Sequence, residues 1–145
     1  MILISHRGNI NGRIEEAENR PDYIDDTIRL GYEVEIDVWV IEGTFYLGHD
    51  EPQYGILMDW LYQRKDKLWI HCKNIEAVEW LNSLSGTYNY FWHQNDVMTL
   101  TSKGYIWSNI GYYLQNGITV SLEYKKIPTY VRGVCSDYVS LYQNG

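Results

Sequence analysis

The chain has 145 residues, 45% hydrophobic and 21% charged, a composition that excludes a disordered segment and suits one domain with its own core. A net charge of -7 and a pI near 5.0 argue against nucleic acid as the main partner, because a phosphate backbone needs a basic face. No stretch approaches a membrane span, and MILIS ahead of His6 is too short for a signal peptide, so a cytoplasmic protein is expected.

Ile2 to Ser5 reads as a short buried strand ending at His-Arg-Gly, followed by the polar loop NINGRIEEAENRP. Asp22 to Leu30 has helical spacing, with Pro21 suited to its start and Gly31 to its end. Val34 to Ile41 is a second strand that continues as a hairpin through Glu42–Gly43. After Pro52, ILMDWLYQRK is amphipathic at helical intervals. Leu68 to Cys72 is a third strand, and Ile75 to Leu84 a third helix with Asn74 as N-cap. Tyr88–Trp92, Tyr105–Trp107, Ile118–Leu122 and Val134–Val139 follow as strands, joined late in the chain by short links rich in Gly, Asn and Thr.

Strand followed by helix, repeated, predicts a parallel sheet with right-handed crossovers. The expected fold is therefore α/β: a single-domain miniature TIM-type βα barrel over residues 1–145, with about seven to eight parallel strands and several outer helices shortened or missing. Its uncovered exterior would favour self-association. The 14 Tyr and 6 Trp, against 2 Phe, read as amphipathic filling of a thin core. Cys72 and Cys135 read as buried small hydrophobes of a reducing compartment.

All four histidines stand where an apolar run gives way to polar residues: His6 in ILISHRG, His49 in TFYLGHDEP, His71 in KLWIHCKN and His93 in NYFWHQND. Between the first two, VEIDVWV carries Glu35 and Asp37, two apart on a strand and so facing one way. If the strands are parallel and adjacent, these groups converge on one end of a sheet. Such a cluster can bind a divalent metal and move protons. Arg7 offers a planar fork for phosphate, and Asp50 can orient the neighbouring His49. His71 reads equally as a ligand or as a hydrogen-bonding neighbour of the carboxylates. His93, Gln94, Trp107 and Glu123 occupy later strand ends and are candidates to line the pocket.

These residues carry a family resemblance. HRG at the first strand end, Glu18-Asn19-Arg20-Pro21, the Glu35/Asp37 pair and Gly48-His49-Asp50 resemble the glycerophosphodiester phosphodiesterase family, of the superfamily that includes phosphatidylinositol-specific phospholipase C. Ile70–Lys73 resembles that family's E-x-K strand and Gly133–Val139 its closing G-x-x-T-D segment, while the middle of the chain has no match. The resemblance implies catalytic His6 and His49, a divalent metal (Mg²⁺ or Ca²⁺, with Mn²⁺ as a further option) on Glu35 and Asp37, and Arg7 and Lys73 near a phosphate. The chain departs from the family in being far shorter and in having His71 where the third metal ligand is a carboxylate, which moves the metal preference towards Mn²⁺, Fe²⁺ or Zn²⁺.

The expected function is thus a metal-dependent phosphodiesterase acting on a glycerophosphodiester-like small molecule, with His6 and His49 as base and acid in either order. A cyclic product would make it a lyase. The competing expectation is a phosphate- or sugar-binding module that keeps the pocket without turnover.

Overall fold

Valines and isoleucines alternate with acidic residues in VEIDVWV, and the strand they build, β2 (Glu33–Ile41), organises the sheet. Along one edge β2 pairs in parallel with β1 (Ile2–His6) at Glu33–Glu35, and further on it turns back into the antiparallel β3 (Thr44–Leu47). Along the other edge it pairs in parallel with β5 (Leu68–Cys72). The β2–β3 turn needs two left-handed residues, and Glu42 and Gly43 have φ of 51° and 81°. The computed structural model describes residues 1–84 and 86–143.

The remaining elements are α1 (Pro21–Arg29), β4 (Tyr54–Ile56), α2 (Met58–Arg64), α3 (Ile75–Ser83), β6 (Tyr90–Phe91), β7 (Met98–Leu100), β8 (Ile106–Asn109), β9 (Gly117–Val120) and β10 (Gly133–Ser136). Single 3-10 turns lie at Lys65–Lys67 and Val139–Tyr142. The ladders run β4-β3-β2-β1-β10-β9-β8-β7, with β5 and β6 continuing from the opposite edge of β2. No helix among the described residues is long and apolar enough to cross a membrane.

This architecture corrects the expectation of a miniature TIM-type βα barrel. The sheet is a curled, mixed, ten-stranded half-barrel with three short helices. The β2–β3, β3–β4 and β7–β8 ladders are antiparallel, and no ladder joins β6 to β7 or β8 among the described residues. The physical reason lies in the connections. After β6 the links carry no helix: residues 121–132 cross from β9 to β10 as an irregular segment, and Ile127 and Val131 within it pack on Val134 from β10. The hairpin strands β4 and β7 are not among the expected strands: both are three residues long, Ile56 of β4 falls in the stretch expected to be helical, and the helix itself begins only at Met58.

The two faces of the curl differ. Val34, Ile36, Val38 and Val40 of β2 meet Ile24, Leu61, Ala77 and Leu81 from the three helices. The inner face is filled by Ile4, Trp69, Phe91, Trp107, Ile118 and Cys135. The cysteines are therefore in separate cores, both buried and free. Above the inner layer, at the carboxyl ends of the parallel strands, the sequence changes from apolar to charged.

Candidate functional site

Alternation on β2 sends Glu35 and Asp37 to the inner face, where they are 3% and 0% exposed. The parallel register sets Glu35 beside His6 and Asp37 beside His71. His6 Nε2 lies 3.9 Å from Glu35 Oε1, while His71 Nδ1 lies 3.9 Å from Glu35 Oε2 and 3.3 Å from Asp37 Oδ1. Adjacent strand ends thus bring together four of the residues singled out in the sequence.

The local chain is shaped to present them. Arg7 and Gly8 form a left-handed pair, φ 59° and 99°, closed by Asn9 N–H donating to the His6 carbonyl. A side chain at Gly8 is excluded by Tyr23, whose Cδ2 would stand 2.5 Å from an added Cβ. The turned backbone points Arg7 back over the carboxylates: its Nε is 3.1 Å from Asp37 Oδ2, and Nη1 donates to Glu18 Oε1 at 3.4 Å. Asn19, also left-handed at φ 65°, clasps Asp37 twice, donating from Nδ2 to Oδ2 and accepting from the Asp37 backbone N–H.

Hydrogen bonding settles which ring nitrogens are free. Asp137, just beyond β10, takes a 2.8 Å bond from His6 Nδ1. Burial works against its charge, but His6 and Asn9 outweigh this and lower its pKa, so it accepts only. His6 therefore carries a proton on Nδ1, and in the neutral ring the lone pair is on Nε2, facing Glu35. His71 is oriented the other way. Its Nε2–H donates to the His93 carbonyl at 2.8 Å and its ring stacks on Phe91, centroids 5.1 Å apart, leaving Nδ1 towards the carboxylates.

The electrostatics of the pair are unbalanced. Burial opposes the charge of Asp37, yet His71, the Arg7 guanidinium and Asn19 pull its pKa down to about 2. Burial, then the Asp37 charge, drive Glu35 well above the ordinary carboxylate range against Arg7 and Lys73. Glu35 Oε1 and Asp37 Oδ1 are buried with no hydrogen-bond donor among the described residues. At 3.3 Å, His71 Nδ1 is close to Asp37 Oδ1 but off the hydrogen-bond direction. Ligand atoms of Glu35, Asp37 and His71 lie within 4.8 Å of one another. Two undonated oxygens and one inward lone pair fit a divalent cation. His6, Glu18 and Asp137 are equally close together, but Asn9 Nδ2 bridges the two carboxylates at 2.7 and 2.9 Å, so that group is satisfied by protein donors.

No family model, curated protein or solved structure matches this chain.

The other sequence candidates take more peripheral positions. His49, after β3, shares a cleft of about 120 Å³ with Arg7, Arg13, Glu18 and Asn19. Burial and the Arg7 charge lower its pKa, while Asp37 raises it. Asp50 is exposed and accepts from His49 Nδ1 at 2.7 Å, which leaves Nε2 free. Lys73 is half-buried beyond β5, near enough for its charge to act on both Glu35 and His49. His93 reaches the cluster through its backbone carbonyl, with its ring centroid 6.5 Å from that of His71. Trp107 lies in the inner core, and Gln94 and Glu123 are exposed.

Sequence reasoning missed roles for Asp137, Asn9, Glu18 and Asn19. Asp137 stands just past the last strand much as His6 stands at the end of the first, and this position was a usable signal. Asn9 had none, because its partners come from residues 14, 18, 23 and 137.

Proposed function

We propose that the protein is a metal-dependent phosphodiesterase acting on a small glycerophosphodiester-like substrate, as the resemblance of its HRG, ExD and GHD motifs implies. One observation carries the reading: His6, held by Asp137 with Nε2 free, faces a buried carboxylate pair whose undonated oxygens suit a cation. Glu35, Asp37 and His71 would hold the metal, which supplies Lewis-acid neutralisation of non-bridging phosphate oxygens when bound.

The chain's own groups account for the rest. Arg7 and Lys73 add positive charge beside the carboxylates and anchor the phosphate. His6 Nε2 accepts the proton of the attacking hydroxyl or water, and Asp137 stabilises the imidazolium that results. His49, across Arg7 and facing the cleft, donates the proton that the leaving alkoxide needs. Attack by a hydroxyl of the substrate gives a cyclic phosphate; attack by water gives hydrolysis.

The experiment is cleavage of bis(p-nitrophenyl) phosphate and glycerophosphodiesters with and without Mn²⁺, Mg²⁺ or Ca²⁺. Each of His6→Ala and His49→Ala is expected to cost about 10²–10⁴-fold in turnover. Full activity in either variant overturns the two-histidine mechanism. Metal binding without turnover identifies a phosphate- or sugar-binding module instead.

A further inference from the structure

We infer that the metal centre is built for a borderline transition-metal ion, with His71 Nδ1 as its nitrogen ligand, and that Ca²⁺ and Mg²⁺ bind it weakly. The inference rests on reading the Glu35–Asp37–His71 cluster as a metal site and goes on to specify which metals that site selects.

Three observations support it. The His93 carbonyl can only accept, so its 2.8 Å bond to His71 Nε2 places a proton there, and in the neutral ring the lone pair is then on Nδ1. A ligating histidine commonly donates its other N–H to a carbonyl or carboxylate, which sets ring orientation and raises basicity. The ring is further clamped by Phe91, with planes 15° apart. Finally, Nδ1 lies 3.3 Å from Asp37 Oδ1 but off the direction of a hydrogen bond to it, and that oxygen is buried without a donor among the described residues. Were His71 serving only to donate to Asp37, an aligned bond between those two atoms would be expected.

A donor set of two carboxylates and one imidazole discriminates among metals. Mg²⁺ demands near-ideal octahedral oxygen coordination and Ca²⁺ takes six to eight oxygens, so a fixed imidazole serves neither. Imidazole suits Fe²⁺ and Zn²⁺, and carboxylates suit Mn²⁺. Selection therefore comes from ring placement by a backbone carbonyl and an aromatic neighbour.

The test reads the ligand directly. The full chain is loaded with Mn²⁺, and pulsed electron paramagnetic resonance measures ¹⁴N modulation of the bound ion; calorimetry compares Mn²⁺, Zn²⁺, Mg²⁺ and Ca²⁺. Expected are ¹⁴N modulation in the wild type and in His6→Gln, its loss in His71→Asp, and tighter binding of Mn²⁺ and Zn²⁺ than of Mg²⁺. His71→Asp should lower the Mn²⁺-to-Mg²⁺ affinity ratio by about tenfold or more. Mn²⁺ bound without ¹⁴N modulation overturns the inference and leaves the metal-dependent reading standing. So does modulation that survives in His71→Asp or vanishes in His6→Gln. A wild-type protein that binds none of the four ions removes both readings. Should His71→Asp fail to fold, the wild-type and His6→Gln spectra still decide.

Discussion

Asn9 shows how much a single side chain can hold. Its amide donates to Glu18 Oε2 and Asp137 Oδ1 and accepts from Tyr23 Oη and the Ile14 N–H, filling all four of its hydrogen-bonding positions while fully buried. Asn9→Ala is expected to destabilise by about 1–3 kcal/mol for each buried group left without a partner. A thermal melt within one degree of wild type would show that water replaces the amide. Asp137 accepts from His6 and from Asn9 and touches none of Glu35, Asp37 and His71. Asp137→Asn should therefore cost about 10²–10⁴-fold in turnover while leaving metal affinity near wild type, because the metal residues lie on other strands. The pH profile follows from His49. An acid catalyst must be protonated, and its pKa lies below the ordinary 6.5. Turnover should then fall on the alkaline side with a midpoint under pH 6.5, measured as the basic limb of kcat. A basic limb above that value assigns the proton donor elsewhere.

Elements place these side chains through turns more than through helices. Gly48 ends β3 at φ 154°, and a Cβ there would stand 2.0 Å from the Glu51 carbonyl oxygen. Its own carbonyl accepts from Trp39 Nε1, so the turn that aims His49 is tied to β2. Gly48→Ala is expected to strain the backbone by about 1–3 kcal/mol and to reduce turnover through His49, read by pairing a melt with kinetics. Unchanged kinetics would mean that His49 acts from a mobile position. The third helix is anchored differently. Asn74 caps it by accepting from Ala77 N–H, and it also accepts from the Val40 N–H and donates to the Val40 carbonyl. That cap was legible in the sequence, as were β5 and the Glu42–Gly43 turn, because each rests on neighbours within a few residues. β4 and β7 were not, since three-residue strands exist only by virtue of the partner they lie against.

At the scale of the molecule, two cores share one curled sheet. The helix-packed side, with Ile36 fully buried, sustains the fold, and the aromatic inner side, with Ile118 fully buried, supports the charged layer above it. Ile118→Ala should cost about 2–5 kcal/mol through the cavity left behind, with one cooperative transition in denaturant monitored by tryptophan fluorescence. Two separate transitions would mean that the halves of the sheet unfold independently. The alternation in VEIDVWV by itself determined that Glu35 and Asp37 face opposite to Val34, Ile36 and Val38, and strand-end position alone marked all four histidines, because side-chain direction on a strand is a local property. The rest depended on the tertiary structure. Whether a run of strands closes into a barrel depends on how links such as 121–132 cover the sheet, and no local pattern encodes that. The coupling of His6 to Asp137, 131 residues apart, and the turning of His71 Nδ1 rather than Nε2 to the carboxylates by a carbonyl just beyond the next strand, likewise arise only when distant strand ends meet.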